Sequence, residues 1–222
     1  MRDEYTVEKE EYRGYTVKLI QDTDAMNPRT EWDNLGKMIC FHRRYDLGDK
    51  HDLKSGDFSG WQEIYSYLRK ECGAEIILPL YLYDHSGITM SCSRTYPYND
   101  VWDAGQVGFI YMTKEQIIKE LGRPKPTEKN PHAFGKIKHI MKCDREHALK
   151  YLEGEVQTYD DYLTGNVVGF EVEDDDGEVV ESCWGFYGDE GREEAMSEAK
   201  AIVDTLADER DTYNAVQAVG MC

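Results

Sequence analysis

The sequence predicts an α+β protein: a mainly antiparallel sheet with helices packed on one face, built as a single domain. Three observations predict it. Stretches of strand character outnumber helical stretches along the 222 residues and do not alternate with them one for one, as a parallel α/β sheet would require. Short turns of aspartate, serine and glycine join neighbouring strands closely enough for antiparallel pairing. Apolar residues make up 40% of the chain and aromatics 12%, with 16 Tyr, enough large side chain to offset ordering entropy despite a net charge of −18.

The elements follow in order. Residues 1–13, with the run Glu8-Lys9-Glu10-Glu11, read as a flexible acidic N-terminus, and the α+β domain is expected over 14–210. Tyr15–Ile20 and Lys37–His42 carry strand alternation and are joined by a loop around Asn27-Pro28. Arg43–Ser59 is a polar surface loop. Trp61, Ile64, Tyr65 and Leu68 fall on one face of a short helix that Gly73 ends. Ile76–Tyr83 is apolar throughout and predicts a central strand, in which Pro79 requires an edge, a bulge or a bend.

Asp84-His85-Ser86-Gly87 is turn chemistry, with Ile88–Ser91 pairing back as a hairpin arm. Gln106–Met112 is a strand that enters a helix through the capping box Thr113-Lys114-Glu115-Gln116. Arg123–Pro131 reads as a linker or a long loop. Asp144 is expected to cap a helix carrying Ala148, Leu152, Glu155 and Tyr159 and ending at Gly165. Val167–Glu173 and Val179–Phe186 flank the turn Asp174-Asp175-Asp176-Gly177 as a hairpin. A last helix spans Glu190 to Asp208, and 211–222 form a tail.

Charge narrows the function classes. Glu171 to Asp211 holds 16 acidic and 3 basic residues, whereas Lys119 to Lys150 holds 9 basic and 4 acidic ones. This asymmetry suits a partner with a basic groove, and the overall acidity disfavours nucleic acid. No apolar run is long enough to span a membrane, and Met1-Arg2-Asp3-Glu4 does not open a secretory signal, so a cytoplasmic protein is expected. Six cysteines without C-x-x-C spacing read as reduced and mostly interior. No cofactor motif is present, since G-x-G-x-x-G, a P-loop, H-E-x-x-H and G-x-S-x-G are all missing.

Two clusters hold catalytic residue types. Asp84 and His85, followed by Ser86, are the parts of a nucleophilic site, but neighbours on an extended segment face opposite ways, and a turn explains them better. Asp46, Asp49, His51 and Asp52 offer hard oxygen ligands and one imidazole for a divalent metal, without a recognised spacing. Trp102–Phe109 and Ser182–Asp189 are aromatic and glycine stretches suited either to close packing or to a partner surface.

Four of these stretches carry a resemblance. Tyr81-Leu82-Tyr83-Asp84-His85-Ser86-Gly87-Ile88-Thr89-Met90, Trp102-Asp103-Ala104-Gly105-Gln106-Val107-Gly108-Phe109-Ile110-Tyr111, Tyr159-Asp160-Asp161-Tyr162-Leu163-Thr164-Gly165 and Ser182-Cys183-Trp184-Gly185-Phe186-Tyr187-Gly188 resemble a family of small proteins of bacteriophages, prophages and plasmids. The resemblance covers about half the chain. It implies an accessory gene of a mobile element and supplies no catalytic residues.

The expected activity is therefore binding rather than catalysis: an acidic, DNA-mimic-like inhibitor of a host defence nuclease of CRISPR or restriction type. The contact residues on this reading are Glu190, Glu193, Glu194, Asp204 and Asp208, with Trp184 and Tyr187 as anchors. The alternative is a small metal-dependent hydrolase or nuclease using His85 and the Asp46–Asp52 loop. A third possibility, nucleic-acid binding through Lys136, Lys138, Lys142 and Arg145, is opposed by the repulsive remainder of the chain.

Overall fold

A computed structural model describes residues 5–93, 96–98, 102–121, 123–127, 130–139 and 142–220. The protein is α+β, with antiparallel pairing throughout its sheets. Its contacts gather into two compact units, the smaller from residues 1–26 and 164–222, the larger from residues 27–163.

The smaller unit is a four-stranded sheet in the order β1 (Thr6–Tyr12), β2 (Tyr15–Gln21), β9 (Val167–Glu173), β10 (Val179–Tyr187), with helix α5 (Gly188–Gly220) on one face. Alternation decides that face. Val17 and Leu19 of β2 and Val168, Phe170 and Val172 of β9 point to one side, where Ala195, Ala199 and Val203 of α5 meet them. The helix residues recur every four positions, and two of the three are alanine, so the helix approaches the sheet closely.

Within the segment expected to be flexible, Thr6–Tyr12 is strand β1. Its charges are compatible with an edge strand, because one row points to α5, where Glu10 accepts an ion pair from Lys200 at 2.8 Å, and the other to solvent. The expected tail is also structured, since α5 runs unbroken to Gly220.

The larger unit holds a sheet in the order β3 (Lys37–Cys40), β6 (Ala104–Thr113), β4 (Ala74–Asp84), β5 (Ile88–Cys92). Here helices take both faces, a difference from the one-face arrangement that the smaller unit keeps. Met38, Leu78, Leu80, Ile110 and Met112 pack on Ala148, Leu152, Val156 and Tyr159 of α4 (Lys142–Thr164). Ile39, Phe109 and Tyr111 pack on Ile64 and Leu68 of α2 (Trp61–Lys70). Each Leu, Ile, Val, Met or Phe among them contributes about 1.5–3 kcal/mol by leaving water.

Local chemistry places the remaining elements. Asn27 caps the four-residue helix α1 (Pro28–Glu31), its Oδ1 accepting from the Arg29 amide at 2.9 Å. Thr113 and Gln116 form the expected capping box of α3 (Lys114–Glu120). Pro79 stands one residue before β4 begins to pair with β5, and the β4–β6 register shifts at Leu80/Tyr81. The stretch expected to be a linker is instead paired: β7 (Arg123–Thr127) and β8 (Asn130–His139) form a hairpin within the larger unit. Asp144 sits inside the first turn of α4 rather than before it.

Among the described residues no helix is long and apolar enough to cross a membrane. Cys40, Cys72, Cys92 and Cys183 are free thiols, Cys40 buried and the others partly so. The Cys143 and Cys222 side chains, like those of Lys136 and Lys138, lie outside the described residues.

Candidate functional site

The residues singled out for partner binding do not form one surface. Along α5, positions that alternate with the buried alanine stripe face outward, and Glu190, Glu193, Glu194 and Glu198 are all exposed there. Asp204 and Asp208 are committed within the unit. Arg13 donates to Asp204 at 2.9 Å and to Asp208 at 2.7 Å, and the Tyr12 hydroxyl adds a hydrogen bond to Asp204 at 3.1 Å. The Arg13 hydrogen bond, chiefly, holds the Asp204 carboxyl below the ordinary carboxylate range.

Trp184 points away from α5. A Cβ on Gly169 would come within 2.3 Å of the Trp184 ring. Gly169 lies between Val168 and Phe170, which face the helix, so the indole covers the opposite side of the sheet. Tyr187 is anchored at its hydroxyl, which donates to the Met26 carbonyl. The outward acidic row of α5 and the exposed indole are therefore two separate features of the smaller unit.

The proposed metal loop does not converge either. Asp49 turns inward, accepting from Arg29 Nε at 2.9 Å, Arg29 Nη2 at 2.8 Å and the Met38 amide at 2.8 Å. His51 Nε2 bonds the Cys40 carbonyl at 2.9 Å. No group of three or more His, Cys, Asp or Glu that could hold a metal ion occurs among the described residues.

Asp84 and His85 take different partners, as alternation requires. The Asp84 carboxylate receives Arg44 and the Tyr45 hydroxyl, whereas His85 Nδ1 meets Asp103 at 2.9 Å. A carboxylate only accepts, so Nδ1 carries the proton. Ser86 and Gly87 form the turn, at φ 60° and 154°, closed by the His85 amide on the Gly87 carbonyl at 3.1 Å. The Asp84 amide in turn bonds the Asp103 carbonyl at 2.7 Å, which locks the two segments together.

This end of the larger sheet gathers more than the sequence indicated. His42 and Arg44 follow β3, Asp84 ends β4 with His85 next after it, and Trp102 and Asp103 precede β6. His42, Arg44, Asp84, Trp102 and Asp103 line a cleft of about 250 Å³, and an adjoining hollow of about 530 Å³ includes Arg43, His42 and Arg44. His42 Nδ1 accepts the Arg44 and Tyr45 amides at 3.3 and 3.2 Å, so the ring proton resides on Nε2. Burial lowers the His42 pKa, with Asp84 opposing and Arg44 reinforcing the shift. The ring is thus a neutral donor near pH 7, stacked on Tyr45 with centroids 5.0 Å apart.

Sequence reasoning isolated the turn at Asp84–Gly87 and the stretch from Trp102 but missed His42, Arg43 and Arg44. Three consecutive basic-type side chains after a strand, in a chain of net charge −18, were the available signal. No protein-family model matches the chain, and neither a curated protein nor a solved structure matches it.

Proposed function

We propose that the protein acts by binding another protein, as an accessory factor of a phage or mobile element that occupies a basic groove of a host defence nuclease. What supports this reading is the outward face of α5, where Glu190, Glu194 and Glu198 stand exposed at four-residue intervals along a helix, with Glu193 exposed beside them. Carboxylates so spaced supply a row of negative charge to a surface built for phosphates. Asp204 and Asp208, held by Arg13, contribute to the field of that helix but are not available as flexible contacts. Trp184 and Tyr187 drop out of this surface, the first by direction and the second by its bond to Met26.

The test is affinity capture from host lysate with the native protein and with Glu190→Lys/Glu193→Lys/Glu194→Lys, read by mass spectrometry and followed by a nuclease inhibition assay. The expected result is a nuclease retained and inhibited by the native protein alone. Equal retention by both proteins, or no inhibition by either, overturns the reading. All three positions are exposed, so the triple variant should fold as the native chain does.

A further inference from the structure

We infer that the end of the larger sheet binds a mononucleotide, its base stacked on Trp102 and its phosphate held by Arg43, Arg44 and the Nε2–H of His42. The inference concerns the larger unit and does not rest on the acidic face of α5. Trp102 carries the first half of it. Its indole is 92% exposed, whereas Trp32 and Trp184 are 42% and 45% exposed, and Trp102 borders the cleft that Arg44 and His42 also line. An indole held at the mouth of a concave polar site is a stacking platform, and every nucleobase offers it a π face.

The donors carry the second half. Arg43 and Arg44 line the hollow that adjoins the cleft, and a guanidinium matches the paired oxygens of a phosphate. The Nε2–H of His42 adds a neutral donor whose orientation is set by two backbone amides. The carboxylates on the wall do not oppose an anion at full strength. Asp84 is covered by Arg44 and the Tyr45 hydroxyl, and Asp103 by His85. Together the two hollows, about 250 and 530 Å³, fall in the range of small-ligand sites. The Asp84–Asp103 backbone bond and the capture of His42 by its own loop preorganise the walls, which lowers the ordering cost of binding.

The experiment uses the full chain with AMP as probe, followed by calorimetry and tryptophan fluorescence, with adenosine, inorganic phosphate and a mixed-sequence oligonucleotide in parallel. The expected result is saturable AMP binding with a fluorescence change, and adenosine and phosphate each weaker by about tenfold or more. Trp102→Ala and Arg44→Gln should each lose about tenfold in AMP affinity, and Trp102→Phe should recover most of it. Both side chains are largely exposed, so circular dichroism of the variants should match that of the native protein. Absence of saturable AMP binding, AMP binding that neither variant weakens, phosphate binding as tight as AMP, or binding of the oligonucleotide alone would each overturn the assignment.

Discussion

Arg29 meets Asp49 through two parallel hydrogen bonds, Nε to Oδ1 at 2.9 Å and Nη2 to Oδ2 at 2.8 Å, with 1% of the Arg29 side chain exposed. The same guanidinium donates to Glu155 at 2.8 Å and to the Gly36 carbonyl at 2.8 Å. Glu155 in turn accepts the Leu35 and Gly36 amides. One cation thus ties α1, the segment before β3, the loop after it and α4. Replacing it with Met strands two largely buried carboxylates, a loss of about 3–5 kcal/mol. In a chain of this size that lowers the melting temperature by about 6–20 °C. Scanning calorimetry of Arg29→Met checks it, and an unchanged melting temperature would show the network to be dispensable.

Gly108 is a position where β6 admits no side chain. A Cβ there would lie 1.9 Å from the Ile39 carbonyl oxygen of the paired strand β3, and backbone in a sheet does not move aside cheaply. Gly105, at the start of the same strand, has nothing within 4 Å of its Cβ position. Gly108→Ala is expected to lose several kcal/mol or fail to accumulate as folded protein, whereas Gly105→Ala should change stability by about 1 kcal/mol or less. Urea denaturation of the pair decides between this contact and a general intolerance of alanine in β6.

How much of this was legible depended on how local the cause was. The capping box at Thr113 and Gln116 and the turn Asp174–Gly177 declare themselves within four residues, and both are present. The irregularity that Pro79 demands is met by a register shift and by the start of β5 pairing, both tied to the proline's own missing donor. Strand β1 was missed because its charged run Glu8-Lys9-Glu10-Glu11 looks solvated in the sequence, whereas its backbone pairs with the adjacent β2 across the turn at Arg13-Gly14. Asp49 was misread because its partner is distant. Its carboxylate resembles a metal ligand in the sequence, and only the fold brings Arg29, twenty residues earlier, to neutralise it. The cleft was half visible, since aspartate, histidine and tryptophan drew notice while the arginines that complete it lie on another segment.

Asp160 predicts a pH effect of unusual sign. Its carboxylate accepts the Thr89 hydroxyl at 2.8 Å and the Met90 amide at 2.6 Å, pinning β5 to α4. Burial, more than these bonds can offset, raises its pKa above the ordinary 3.8. The folded state therefore binds more protons than the unfolded one between 3.8 and that raised value, and this group's contribution to stability falls as pH rises through the window. Asp160→Asn keeps an acceptor oxygen for both donors and removes the charge. Its expected result is equal or higher stability at pH 7 and a flatter pH dependence above pH 4, and Asp160→Ala should lose about 1–3 kcal/mol. Denaturation at a series of pH values distinguishes them, and a marked loss in the asparagine variant would mean that the ionised carboxylate itself is needed.

Two thiols of the larger unit, those of Cys40 and Cys92, should be inert. Burial pushes Cys40 up to about 12, with Asp49 adding and Arg29 opposing, and pushes Cys92 up to about 11, with Glu153 adding. The thiolate is the nucleophile, so at pH 8 both should react with iodoacetamide about two to three orders of magnitude more slowly in native than in denatured protein. Peptide mass spectrometry after timed labelling reads each site. The two cysteines differ in what a fast reaction would mean. Cys40 is 8% exposed and belongs to a packed cluster, so rapid labelling there requires opening of the core. Cys92 ends the edge strand β5, and its rapid labelling would show that β5 detaches from β4 locally, breaking the Asp160 contacts while the rest of the sheet stays closed.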